Sequence, residues 1–299
     1  MLSRRALLGS LAPLPFLSVL PVRAAAPLPA VATISILADL VRQTGGDAVA
    51  LTALVPPDGD AHTYEPRPSD LTTLHGAALL VENGLGLEGW MDRLRGASGF
   101  AGVRVEAAAQ VTPRHFTEDG RITIDPHAWQ DPRNAIRYVQ AIADGLTRAA
   151  PEQATRWHAR AADYAAEIAA TDRWIAARIA TVPPAKRKIV TSHDAFGYYG
   201  DRYGIALHFV EGLSTDDEPS AKDMARLIDD IRAQGIRAVF IENMTDPRLI
   251  RAVAHDAHVI VGPVVYSDAL SPPGGPADTY LKMLRHNTTA FVVAMQRND

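Results

Sequence analysis

Short β-rich runs, most of them largely apolar, alternate along this chain with stretches in which apolar side chains recur every three or four positions. The runs at 31–36, 48–55, 78–82 and 103–106 form one set of predicted strands, and those at 188–192, 206–210, 238–242 and 258–261 form a second. Helical patterns follow most of them, at 68–75, 194–203, 221–234, 247–255 and 278–295. Strands that are apolar on both faces, each followed by a helix, predict parallel sheets covered on both sides. The fold class expected is therefore α/β, in two lobes.

The stretch between the two sets differs. From Pro151 to Ile179 there is no glycine and no internal proline, and Trp157, Ala161, Tyr164, Ile168, Ile175 and Ile179 mark one helical face. Pro151 suits a first helical turn, and Val182-Pro183-Pro184 ends the run. A helix of this length would be roughly 40–45 Å long, enough to cross a domain. The division expected is a first lobe at 27–149, a long linking helix at 150–181 and a second lobe at 182–299. No sequence repeat relates the lobes.

The first 26 residues stand apart. Arg4 and Arg5 precede an apolar run from Ala6 to Val22, and small residues follow at Ala24, Ala25 and Ala26. This is the layout of an export signal, too short and proline-broken for a membrane anchor. Ser3-Arg4-Arg5-Ala6-Leu7-Leu8 resembles a twin-arginine signal but lacks the usual Phe, so ordinary secretory export stays equally open. Either route places the mature protein in the periplasm.

Composition narrows the chemistry. The 299 residues carry a net charge of -4, with no basic footprint for nucleic acid. There is no cysteine, which removes disulfides, thiolate nucleophiles, thiolate metal sites and a lipidated N-terminal cysteine. A transition metal would have to be held by histidine, carboxylate or methionine.

Three of the ten histidines stand out by context. His62 lies in Asp58-Gly59-Asp60-Ala61-His62-Thr63-Tyr64-Glu65-Pro66, after the second predicted strand. His127 lies in Asp125-Pro126-His127-Ala128-Trp129, just before Asp131-Pro132 opens a helix. His193 follows the run 188–192 directly, and Asp268 stands in Tyr266-Ser267-Asp268-Ala269-Leu270 after the last strand. Ligand sites collect at the carboxyl edge of parallel sheets. Two of these residues fall in each lobe, so lobe closure could bring all four together. Glu242, Asp60 and Asp125 are candidates to orient imidazoles, or simply cap turns; Trp129 is read as core. The other histidines read as structural.

These segments resemble the metal-specific solute-binding proteins of zinc and manganese ABC importers. The resemblance runs from about residue 30 to 295 and is carried by His62-Thr63-Tyr64-Glu65-Pro66-Arg67-Pro68-Ser69-Asp70, Gly84-Leu85-Gly86-Leu87-Glu88, Asp125-Pro126-His127-Ala128-Trp129, Thr191-Ser192-His193 and Tyr280-Leu281-Lys282-Met283-Leu284-Arg285-His286-Asn287. It implies two α/β lobes joined by one long helix, with metal in the cleft on His62, His127, His193 and Asp268. It also implies a monomer that delivers its metal to the membrane permease of an ABC importer, and no enzyme activity. Three imidazoles and one carboxylate suit zinc, with manganese the alternative. Many zinc members carry a long His/Asp-rich loop in the first lobe; here 113–122 is short, with only His115, Glu118 and Asp119, so no metal-collecting loop is expected.

Two other readings compete. Gly84-Leu85-Gly86-Leu87-Glu88-Gly89 fits G-x-G-x-x-G, which would make the chain an exported dinucleotide-binding oxidoreductase. It follows the third strand rather than the first, which favours a simple strand-to-helix turn. A metal-dependent adhesin would differ only in partner. A hydrolase is disfavoured, since no G-x-S-x-G elbow or H-E-x-x-H motif occurs.

Overall fold

A computed structural model describes residues 26–118, 121–216 and 219–299. Nearly all of the expected export segment 1–26 lies outside these residues. In chain order the first lobe contains β1 (Leu28–Ala32), α1 (Ser35–Gly45), β2 (Val49–Ala53), α2 (Pro68–His75), β3 (Leu79–Glu82), α3 (Met91–Ser98), β4 (Val103–Glu106), β5 (Arg114–Glu118), β6 (Arg121–Asp125) and α4 (Pro132–Ala149). Then comes α5 (Ala154–Ala180). The second lobe contains β7 (Lys188–His193), α6 (Gly197–Tyr203), β8 (Ala206–Glu211), α7 (Ala221–Ala233), β9 (Ala238–Val239), α8 (Pro247–Ala257), β10 (Ile260–Val261) and α9 (Tyr280–Met295).

Each lobe is built on a four-stranded parallel sheet, ordered β2-β1-β3-β4 in the first and β10-β9-β7-β8 in the second. Numbered within its own lobe, each sheet has the same order, second-first-third-fourth. The lobes are thus topological copies, although no sequence repeat announces it. Helices cover both faces of each sheet, as continuous apolar strands require.

The long helix α5 has 27 residues, about 40 Å at 1.5 Å per residue. Its buried face is Trp157, Ala161, Tyr164, Ile168, Thr171, Ile175 and Ile179. That face packs on α1 and α4 of the first lobe and on α9 of the second. Asp39 of α1 reinforces the junction. Its buried carboxylate accepts the first amide of α9, Tyr280 N, at 2.9 Å and the Tyr164 hydroxyl of α5 at 3.4 Å. One apolar cluster runs from the first sheet through α5 into Phe196, Tyr199, Phe240 and Phe291 of the second lobe.

Four sequence expectations are corrected. The run 31–36 is not one strand: β1 ends at Ala32, and Ser35 and Ile36 already belong to α1. Pro151 begins a short 3-10 turn, and α5 starts at Ala154. The run 238–242 is strand only at Ala238–Val239, with an isolated bridge from Glu242 to Val265. The segment 113–122, expected as a short loop, lies largely within the antiparallel pair β5–β6. That pair reaches the other lobe: Arg114 N donates to the Tyr198 hydroxyl (2.8 Å), and the Phe116 and Phe209 rings are 5.7 Å apart. Gly197 opens α6 because a Cβ there would lie 2.3 Å from the Arg114 guanidinium.

Candidate metal centre

Four side chains from four separate segments converge where the carboxyl ends of the two sheets face each other. His62 stands in the β2–α2 connection. His127 follows β6 and begins a 3-10 turn, Ala128–Gln130. His193 is the last residue of β7, and Asp268 lies in the loop after β10. One ligand atom from each lies within 4.8 Å of the others. His62 Nε2 is 3.3 Å from His127 Nε2 and 3.2 Å from Asp268 Oδ2. Asp268 Oδ2 is also 3.2 Å from His193 Nε2, and its Oδ1 is 3.7 Å from His127 Nε2. His127, His193 and Asp268 are fully buried.

Two of the three imidazoles meet carboxylates at Nδ1. Asn83, at the end of β3, donates to the carbonyl of Pro126 (2.9 Å) and fixes the turn before His127. Asp125 Oδ1 then accepts from both His127 N (3.0 Å) and His127 Nδ1 (2.8 Å). Glu242, just beyond β9, stands against His193: Oε1 accepts His193 N at 2.9 Å, and Oε2 lies 2.8 Å from Nδ1 as an ion-pair contact rather than an aligned hydrogen bond. For His127, a proton held on Nδ1 by Asp125 leaves the Nε2 lone pair facing the centre, the tautomer a metal needs. Asp268 is set by the first lobe: Trp129 Nε1 and Gln130 Nε2 both donate to Ser267 O at 2.9 Å. Trp129, read from the sequence as core, is fully buried and also holds the Asp268 loop.

Sequence placed Asp125 and Glu242 as candidates; a carboxylate two residues from one ligand was visible, but a grip across 49 residues was not. Arg114 went unnoticed. Its guanidinium lies 3.1 Å from Asp125 Oδ2 and 3.8 Å from Asp194 Oδ2, linking β5 to the second lobe.

The charges around these residues shift their proton affinities. Asp125, Glu242 and Asp268 are three buried carboxylates around three imidazoles. Burial opposes charge on the His127 ring, but Asp268 and Asp125 outweigh it and push its pKa up to about 9. His193 is held well above the usual histidine range because Glu242 and Asp268 outweigh burial. Burial would raise Asp268, yet His127 and His193 hold it well below the ordinary carboxylate range. The surrounding carboxylates thus favour positive charge on these two rings, the same charge a bound divalent ion would bring. Among the described residues, His193 Nε2 and both Asp268 oxygens are engaged only within the cluster, at 3.2–3.7 Å, as a set of metal donors would be.

The glycine turn is accounted for otherwise. Gly84 and Gly86 have φ of 83° and 87°, and a Cβ on Gly84 would lie 2.3 Å from Glu106 Cγ. The amides of Asn83 and Gly84, which a phosphate would need, donate instead to the Glu88 carboxylate at 2.7 and 3.1 Å. The turn is closed by the protein's own anion.

Known proteins similar to this chain are metal-binding proteins. The family described as ZnuA, zinc-uptake complex component A, periplasmic, matches residues 30–294. The chain is 32% identical over 268 residues to the manganese-binding lipoprotein MntA of Halalkalibacterium halodurans, covering 89% of this chain and 88% of that protein. It is 31% identical to the zinc-binding protein TroA of Treponema pallidum, with 89% and 88% covered. The solved structure of the periplasmic zinc-binding protein TroA from the same organism superposes with a TM-score of 0.86 at 28% identity, over 91% of this chain and all of that one.

Proposed function

Since the chain belongs to the ZnuA family of periplasmic zinc-uptake components, we propose that it captures a divalent transition metal outside the cytoplasm and passes it to the permease of an ABC importer, with zinc the favoured cargo. The ligands in this reading are His62, His127, His193 and Asp268. One observation carries it: three imidazole nitrogens and a carboxylate oxygen lie within 4.8 Å of one another, with three of the four side chains buried. An N₃O set of this kind suits four-coordinate zinc. With every position taken by protein, no site is left for an activated water, which argues for binding rather than hydrolysis.

Manganese is the second reading, and a specific feature favours it. Both oxygens of Asp268 face the cluster, Oδ2 toward His62 and His193 and Oδ1 toward His127. A chelating carboxylate would add a fifth donor and more oxygen character, which manganese prefers. The metal carried by protein purified without chelator, read by mass spectrometry, separates the two readings, since zinc outranks manganese in raw affinity at almost any such site. Zinc should be found at one per chain. His127→Ala and His193→Ala should lower its affinity by orders of magnitude, while His158→Ala, on the exposed face of α5, should leave it unchanged. Manganese as the bound metal would reverse the choice of cargo.

The lobe limits 27–149, 150–181 and 182–299 and the monomeric state belong to the same proposal. Sedimentation at micromolar protein should give a single species of one chain's mass.

A further inference from the structure

His62 differs from the other two imidazoles. Its side chain is 8% exposed where those of His127, His193 and Asp268 are at 0%. Among the described residues no carboxylate stands against its Nδ1, whereas Asp125 and Glu242 do so for the other two. What holds His62 is its main chain. Asp60 Oδ1 accepts His62 N at 2.8 Å, and Asp60 Oδ2 accepts the Thr215 hydroxyl at 2.6 Å. Thr215 lies in the other lobe, after β8.

The same loop is tied across the cleft twice more. Asp58 N donates to Leu270 O (3.0 Å), and Asn243 Nδ2 donates to Asp58 Oδ1 (2.7 Å). Asp58 itself sits at φ 56°, a conformation costly for a non-glycine residue and kept by such contacts. Within its own lobe the loop is held by Trp90 Nε1 on Ala61 O (2.9 Å).

We propose that Thr215, acting through the Asp60 carboxylate, is a positioning residue for His62, so that retention of the metal depends on contact between the lobes. This rests on the reading of the four residues as metal ligands. Asp60 is one carboxylate with two tasks, one oxygen on each lobe. When the lobes are together, both oxygens are occupied and the His62 backbone is fixed. When Thr215 withdraws, Asp60 is free to turn toward water and the ligand nearest the surface loosens first. His62 is then the ligand through which the ion leaves, and a permease that parts Thr215 from Asp60 would trigger release without touching the other three.

The test is the dissociation rate of zinc into excess chelator, with cobalt(II) as a spectroscopic probe of the donor set. Thr215→Val should speed release about tenfold, the scale of one lost hydrogen bond to a charged group, and Thr215→Ser should restore the parent rate. The cobalt spectrum at saturation should be the same in all three, since the ligands are unchanged. Release from Thr215→Val at the parent rate, or equally fast release from Thr215→Ser, overturns the proposal. His62→Ala is the control on its premise: if that variant binds zinc as tightly as the parent, the assignment of His62 as a ligand has failed, and the latch with it.

Discussion

The Glu242 carboxylate meets His193 at two points, accepting its amide at 2.9 Å and standing 2.8 Å from Nδ1. It reaches across from the β9 side of the sheet, so it fixes both the end of β7 and the ring that the strand presents. Partners of this kind are worth about 10–100-fold in metal affinity. Glu242→Ala should weaken zinc binding by about that factor, read by competition with a chromophoric chelator. Unchanged affinity would show that β7 alone orients the ring.

Affinity should fall as pH is lowered, beginning at about 9 rather than near the ordinary histidine value. The metal needs neutral Nε2, while in the metal-free site His127 is pushed up to about 9 and His193 well above its usual range. Below that range each displaced proton costs about tenfold in affinity per pH unit.

The sign for stability is opposite in the metal-free protein. A raised folded pKa contributes stability that is complete below about 6.5 and is lost as pH rises through about 9. The gain in melting temperature on adding zinc should therefore widen from pH 6 to pH 9. A constant gain would mean that no imidazole proton is displaced.

Metal binding should leave the overall dimensions nearly unchanged. One helix of 27 residues joins the lobes, with Trp157, Tyr164, Ile168 and Ile175 buried along it and Asp39 tying it to α1 and α9. Bending it would break backbone hydrogen bonds and uncover that face. Small-angle scattering of metal-free and zinc-loaded protein should give nearly equal radii of gyration, while amide exchange slows in the loops carrying His62 and Asp268. A large compaction on loading would refute the stiff-helix account.

The parts of the fold visible in the sequence are those whose periodicity is local. Helix α2 and strand β4 fall where the pattern puts them, because Pro68 and the alternation at 103–106 mark their limits. The β1–α1 boundary was hidden because Thr33, Ile34, Ser35 and Ile36 are all buried, so one apolar run spans strand, turn and helix. The β5–β6 pair was hidden for the reverse reason: Ile122 is exposed and Arg114 is spent on Asp125 and Asp201, so no apolar face reveals it. Of the centre, the four converging residues were legible from loop context and family resemblance. The Asp60–Thr215 and Glu242–His193 contacts were not, since each joins residues far apart in sequence.

Anomalous diffraction at the zinc edge from crystals of the zinc-loaded protein tests the central claim most directly. The account predicts one strong peak per chain, about 2.0–2.2 Å from Nε2 of His62, His127 and His193 and from a carboxylate oxygen of Asp268. A strong peak elsewhere, or a full-occupancy peak that leaves any of these four side chains uncoordinated, would contradict it.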